Sequence, residues 1–168
     1  MAFIIENNTT VSFAEYDDVF QKDQRLFESN EGLTDDIVED FLIRATERIL
    51  DKFRSTSWWR DYYRQRSSNS ISSVADIPAL DADKILGRNN DFTDLCVYTA
   101  LSEYILPRVA DFGNEDNAER QKMGYYQNKG DSLFAELVAA GDWYDFDDDA
   151  TIASDEKQPG KINLRRVR

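Results

Sequence analysis

TDDIVEDFLIRATERILDKF, residues 34–53, decides the fold. Ile37, Phe41, Ala45, Ile49 and Phe53 recur every four residues, and Val38, Leu42 and Leu50 widen the stripe they form. Arg44, Glu47, Arg48 and Asp51 fall largely outside it. A stripe of that period is the buried face of an amphipathic α-helix of about five turns. Thr34 is placed to cap it, and Asp35 and Asp36 suit the positive end of its dipole. Leu33 and Val38 have the spacing of a hydrophobic staple.

The chain continues as FRSTSWWRDYYRQR, residues 53–66, with five aromatic residues, four arginines and one acid, Asp61. Ser55-Thr56-Ser57 interrupts the long helix, and Ser57 can cap a short second one. In it Trp58 and Tyr62, and Trp59 and Tyr63, are pairs that share a face, while Arg60 and Arg64 lie on another side. Nucleic acid would want a basic groove around such aromatics. The net charge of −13 opposes that, because phosphate contacts supply most of the affinity. A membrane-surface helix would be longer and continuously basic. Two readings stay open: packing into the core, or a protein interface, since Trp, Tyr and Arg dominate binding hot spots.

Outward from this centre the chain reads as helices. Ser12-Phe13-Ala14-Glu15 has a capping-box pattern, which predicts a first helix over 12–25. Residues 67–78 form a serine-rich loop that can include a short strand at 71–74. Asp81 to Leu86 is read as one helical turn ended at Gly87. Asn90 or Asp91 then caps DFTDLCVYTALSEYILPRVADF, apolar on more than one face and therefore the central buried helix. Pro107 should kink or end it near Leu106. A last long helix runs from Asn114 or Asp116 to Ala140, with Met123, Tyr126, Leu133, Phe134, Leu137 and Val138 as its stripe and Gly141 as C-cap. The expected fold is mainly α: a bundle of four to five helices, a long loop around 67–90 and an extended C-terminal tail. Its divisions are an N-terminal extension (1–11), a helical domain (12–141) and an acidic turn with a basic tail (142–168).

At 168 residues the chain is long enough for one domain with a real core, and 41% hydrophobic against 32% charged residues reads as globular rather than disordered. No run approaches the length of a membrane span, and MAFIIENNTT lacks the features of a secretory signal, so no membrane partner is expected. Cys96, the one cysteine, sits in the apolar run LCVYTAL and reads as an inert core thiol. A nucleophilic cysteine would want histidine, and the chain has none. There is no glycine-rich phosphate loop, GxSxG or CxxC either, so no enzyme is expected.

Charge is unevenly spread. Residues 142–156 carry seven acids and no base, and the last twelve residues carry five bases (Lys157, Lys161, Arg165, Arg166, Arg168) and no acid. Asp145, Asp147, Asp149 and Glu156 fit positions 1, 3, 5 and 12 of a calcium-binding loop, with Ile152 at its apolar position. Ala150 stands where that loop wants glycine, and Pro159-Gly160 leaves no room for an exiting helix. An acidic turn with no tight ion is the plainer reading, calcium the one cofactor left open.

The order of these features resembles the head–tail adaptor (connector) proteins of tailed bacteriophages. VSFAEYDDVF, the 34–53 helix followed by aromatics, the buried DFTDLCVYTALSEYILPRVADF helix and ERQKMGYYQNKGDSLFAELVAAGDWYDFDDD carry the resemblance, which spans about residues 10–150. It implies a helical structural protein in a ring of about a dozen copies, docked beneath the portal in the neck of the virion and assembled in the host cytoplasm. The ring extends the channel through which genomic DNA passes and seats the next neck or tail component. Its expected partners are itself, the portal protein and that component. Trp58, Trp59, Arg60, Tyr63 and Arg64 are the candidate intersubunit or portal contacts, together with Lys161, Arg165, Arg166 and Arg168 of the tail. The alternatives are a calcium-binding interaction module built on 145–156 and a non-virion acidic phage protein that regulates or mimics DNA.

Overall fold

The computed structural model describes residues 3–7, 9–30, 32–66, 73, 76–113, 117–154 and 156–157; at 62 and 64–66 it describes the backbone alone. The fold is mainly helical. A short antiparallel hairpin, β1 (Ile4–Glu6) and β2 (Thr9–Ser12), precedes α1 (Tyr16–Lys22), α2 (Gln24–Ser29), α3 (Asp35–Arg54) and α4 (Ser57–Arg66). A single 3₁₀ turn at Ala82–Lys84 leads to α5 (Asn89–Ala100), a π turn (Leu101–Ile105), α6 (Leu106–Val109) and α7 (Ala118–Ala140). Among the described residues no helix is long and apolar enough to cross a membrane.

α3 forms where its period predicts, with Thr34 at the N-cap position and Lys52 and Arg54 in the last turn. The Thr34 side chain makes no capping bond; its carbonyl accepts from Val38 N at 3.1 Å. The buried line is Val38, Leu42, Ala45, Ile49 and Phe53, so Ile37 and Phe41 lie at its edge. α5 is the central helix as expected, held between α3 and α7 with Phe92, Leu95, Cys96, Val97 and Ala100 buried. Cys96 is fully buried beside Thr46 Oγ1 at 3.4 Å, and burial pushes its thiol up to about 11. At pH 7 it is therefore a neutral, inert group.

Pro107 does not end this helix near Leu106. The π turn just before it widens the backbone, and Pro107 enters the first turn of α6, where its missing N–H costs no bond.

The expected helix over 12–25 is replaced by three pieces. Phe13 sits at a bend outside any helix, its backbone held from both sides: its N–H donates to Thr46 Oγ1 at 3.1 Å, and its carbonyl accepts from Thr93 Oγ1 at 2.8 Å. The reciprocal cap falls three residues later than the sequence pattern suggests, with Glu15 N donating to Asp18 Oδ2 at 3.1 Å. Asp23 then breaks the helix, and its carboxylate takes Lys122 Nζ at 2.8 and 2.7 Å.

Other starts also move. Thr56, not Ser57, caps α4 by accepting from Trp59 N at 3.3 Å, and Arg88, in a left-handed conformation, precedes α5. Asn117 caps α7 by accepting from Arg120 N, and Gly141 closes it at φ 56° as expected. The strand read at 71–74 falls largely outside the described residues.

The segments set apart in the sequence as 1–11 and 142–168 are, where described, part of the packed body. Phe3 lies 4.9 Å from Phe13, ring to ring, and Thr10 N donates to Asp83 Oδ1 at 2.7 Å. Trp143 is fully buried, and its carbonyl accepts from both Leu86 N (3.0 Å) and Gly87 N (3.2 Å). Asp145 N donates to Lys84 O at 2.9 Å. Residues 84–87 thus pair with 143–145 as a short antiparallel contact.

Candidate functional site: an aromatic joint and an acidic loop

α4 and the chain after α7 meet in one aromatic cluster. Trp58 lies 4.7 Å from Trp143 and 5.6 Å from Phe146, ring to ring, and Trp59 lies 5.2 Å from Tyr144. Trp59 is only 5% exposed, and its Nε1 donates to Pro78 O at 2.8 Å. Tyr63 stacks on Trp59, and Arg60 Nε returns to Thr56 O at 3.3 Å. Tyr144 accepts from Asp81 N through its hydroxyl, and burial raises it to about 12.

Trp59 is spent on the core of its own chain, and Trp58 and Tyr63, both partly exposed, pack against the same core. Trp58 is half-buried, its Nε1 buried without a hydrogen-bond partner among the described residues. The Arg64 side chain, Lys161, Arg165, Arg166 and Arg168 lie outside the described residues.

The acidic loop begins where this cluster ends. Asp145 is buried; its Oδ1 accepts from Asp148 N at 2.8 Å and its Oδ2 from Ala150 N at 2.9 Å. Glu156 is fully buried and closes the loop: Oε1 accepts from Phe146 N (2.7 Å) and Asp147 N (3.2 Å), and Oε2 from Ala153 N (2.8 Å). Charge-assisted bonds to backbone N–H groups offset the cost of burying both carboxylates. Ala150, at φ 64°, takes the left-handed turn that glycine would take freely, at a cost of about 1–2 kcal/mol.

Asp145, Asp147 and Asp149 bring carboxylate oxygens within 4.8 Å of one another. Desolvation and then the neighbouring Asp149, Glu156 and Asp145 raise the Asp147 carboxyl above its ordinary value. Lys84 reaches Asp148 at 3.5 Å. Three carboxylates so placed suit a hard cation with oxygen ligands. Glu156, the expected fourth ligand, and Asp145 alike have both oxygens engaged by backbone N–H groups, which leaves Asp147 and Asp149 as the carboxylates not so held.

Sequence reasoning took Gly87 only as the end of a helical turn and missed that it seats this loop together with Trp143 and Tyr144. The pair Trp143-Tyr144, apolar residues at the head of an acidic run, was the available signal. A shallow cleft between α3, α5 and α7 holds Arg48–Glu103 (3.6 Å) and Lys52–Asp131 (2.7 Å), charges already paired with each other. Comparison of the chain with family models, with curated proteins and with solved structures finds no match in any of the three.

Proposed function

We propose that this chain is a structural subunit of a phage neck: a head–tail adaptor that assembles as a ring beneath the portal, lengthens the DNA channel and seats the next component. One observation supports the reading. The stretches that carry the resemblance are successive elements of one packed body: α3 with α4, then α5 to α6, then α7 with the acidic turn folded back on α4. Such a protein works by presenting surfaces and needs no catalytic group. The basic segment 157–168, leaving an acidic body, suits an acidic surface of the neighbouring subunit or the portal, where charge sets register and partner choice. The test is mass spectrometry of purified particles with electron microscopy of their necks. The chain is expected in the particle as a ring below the portal. Its absence from particles, with the free protein in the cytoplasm, overturns the reading in favour of a regulatory or DNA-mimicking role.

A second reading, calcium binding at 145–156, is favoured by the convergent carboxylates of Asp145, Asp147 and Asp149. Calorimetric titration decides it: heat that saturates at one ion per chain and is lost in Asp147→Asn supports it, and no heat at millimolar calcium removes it.

A further inference from the structure

Among the described residues α7 is packed through one side only. Tyr126, Gly130 and Leu137 are buried, with Met123, Leu133 and Phe134 beside them. On the opposite side Gln121, Gly124, Tyr125, Asn128, Ser132 and Ala135 are exposed, spaced along one face of the helix. None of them is charged, and Tyr125 is 57% exposed. α3 gives the contrast: every exposed position in it, from Asp35 to Lys52, is charged. Depletion of charge at the centre of a surface patch, here with the aromatic Tyr125 in it, is one compositional mark of an interface.

The edge of this face says what covers it. Lys129 and Glu136 are seven residues apart, two turns, so they stand on the same edge. Neither forms an ion pair with another described residue. Two copies of α7 laid antiparallel about a two-fold axis near Ser132 set Lys129 of each against Glu136 of the other. The surface is complementary to itself, as an isologous contact requires. Ser132 at the axis and Ala135 on the next turn are small and let the helices approach closely.

We propose that the uncharged face of α7 docks on the same face of a second copy of this chain, antiparallel and centred on Ser132. This does not rest on the adaptor reading. A contact built on one helix pair is small, so association is read by analytical ultracentrifugation over concentrations on the order of 1–300 µM.

The expected result is a monomer–dimer equilibrium. Glu136→Lys, which opposes like charges twice, weakens it by about tenfold or more, and Lys129→Glu with Glu136→Lys together restores it. Ser132→Cys, oxidised, gives a covalent dimer, since Cys96 is fully buried. A monomer throughout the range, or dimers indifferent to Glu136→Lys, overturns the proposal. A ring is closed by head-to-tail contacts, so the two-fold contact is read in the free chain. A free chain in which Ser132→Cys does not cross-link, while particles carry its ring, overturns the proposal and leaves the adaptor reading standing. A cross-linked dimer from a chain absent from particles supports it and removes that reading.

Discussion

Trp59 is the residue at which two uses of one sequence feature part company. With its ring buried against Tyr144 and its Nε1 bonded to Pro78 O, Trp59→Ala should cost about 3–5 kcal/mol of stability, read by urea denaturation. A stable variant that merely loses an assembly contact would return the residue to the surface. Glu156→Gln keeps the shape of the buried side chain but places an NH₂ group among backbone donors, for an expected loss of about 1–3 kcal/mol. Asp142 gives a pH dependence. The hydrogen bond from Arg88, 2.7 Å from Nε to Oδ1, holds its carboxyl below the ordinary range. A depressed carboxyl adds stability that is present above its unfolded value, about 3.9, and is lost as the pH falls through the folded one. Both groups are more than a third exposed, so the effect is small. Asp142→Asn is expected to melt slightly below the parent at pH 7 and level with it at the acid end of that window.

Among the elements, those whose burial follows from their own period were legible. α3, α5 and α7 each carry an apolar face that can be counted along the chain, and the structure sets them side by side. The first helix starts later than its pattern suggests because what holds Phe13 out of it comes from Thr46 and Thr93, far away in sequence. The acidic loop was legible as a carboxylate pattern. Its seat was not, since that depends on residues 84–87 meeting 143–145. Gly87 marks the place: a Cβ there would stand 3.1 Å from both Asp142 O and Trp143 Cα, and 3.3 Å from Ile152 Cδ1. Backbone atoms cannot turn aside as a side chain can. Gly87→Ala is therefore expected to destabilise by about 1–3 kcal/mol, with faster hydrogen exchange at Leu86 N. An unchanged exchange rate at that amide would show that the two segments do not depend on close approach.

At the scale of the whole molecule a net charge of −13 works against compactness. Added sodium chloride should raise the melting temperature by screening, most of it below about 0.3 M, where the Debye length shrinks past the spacing of surface charges. A melting temperature that falls with salt would mean that attractive pairs outweigh the repulsion. Deleting 157–168 removes five bases and leaves the described helices intact; the shortened chain should fold but fail to join a neck. Normal neck assembly by that chain would remove the tail from the proposed mechanism. The aromatic joint has a last consequence, an optical one. The chain's three tryptophans are Trp58, Trp59 and Trp143, and all three rings lie within one cluster. Their fluorescence, and the coupled indole bands of the near-ultraviolet circular dichroism, therefore report the docking of α4 on the segment after α7. The outward half of α7 is dark to both signals, and unfolding seen by indole emission is the opening of that joint, with far-ultraviolet ellipticity needed to follow the bundle.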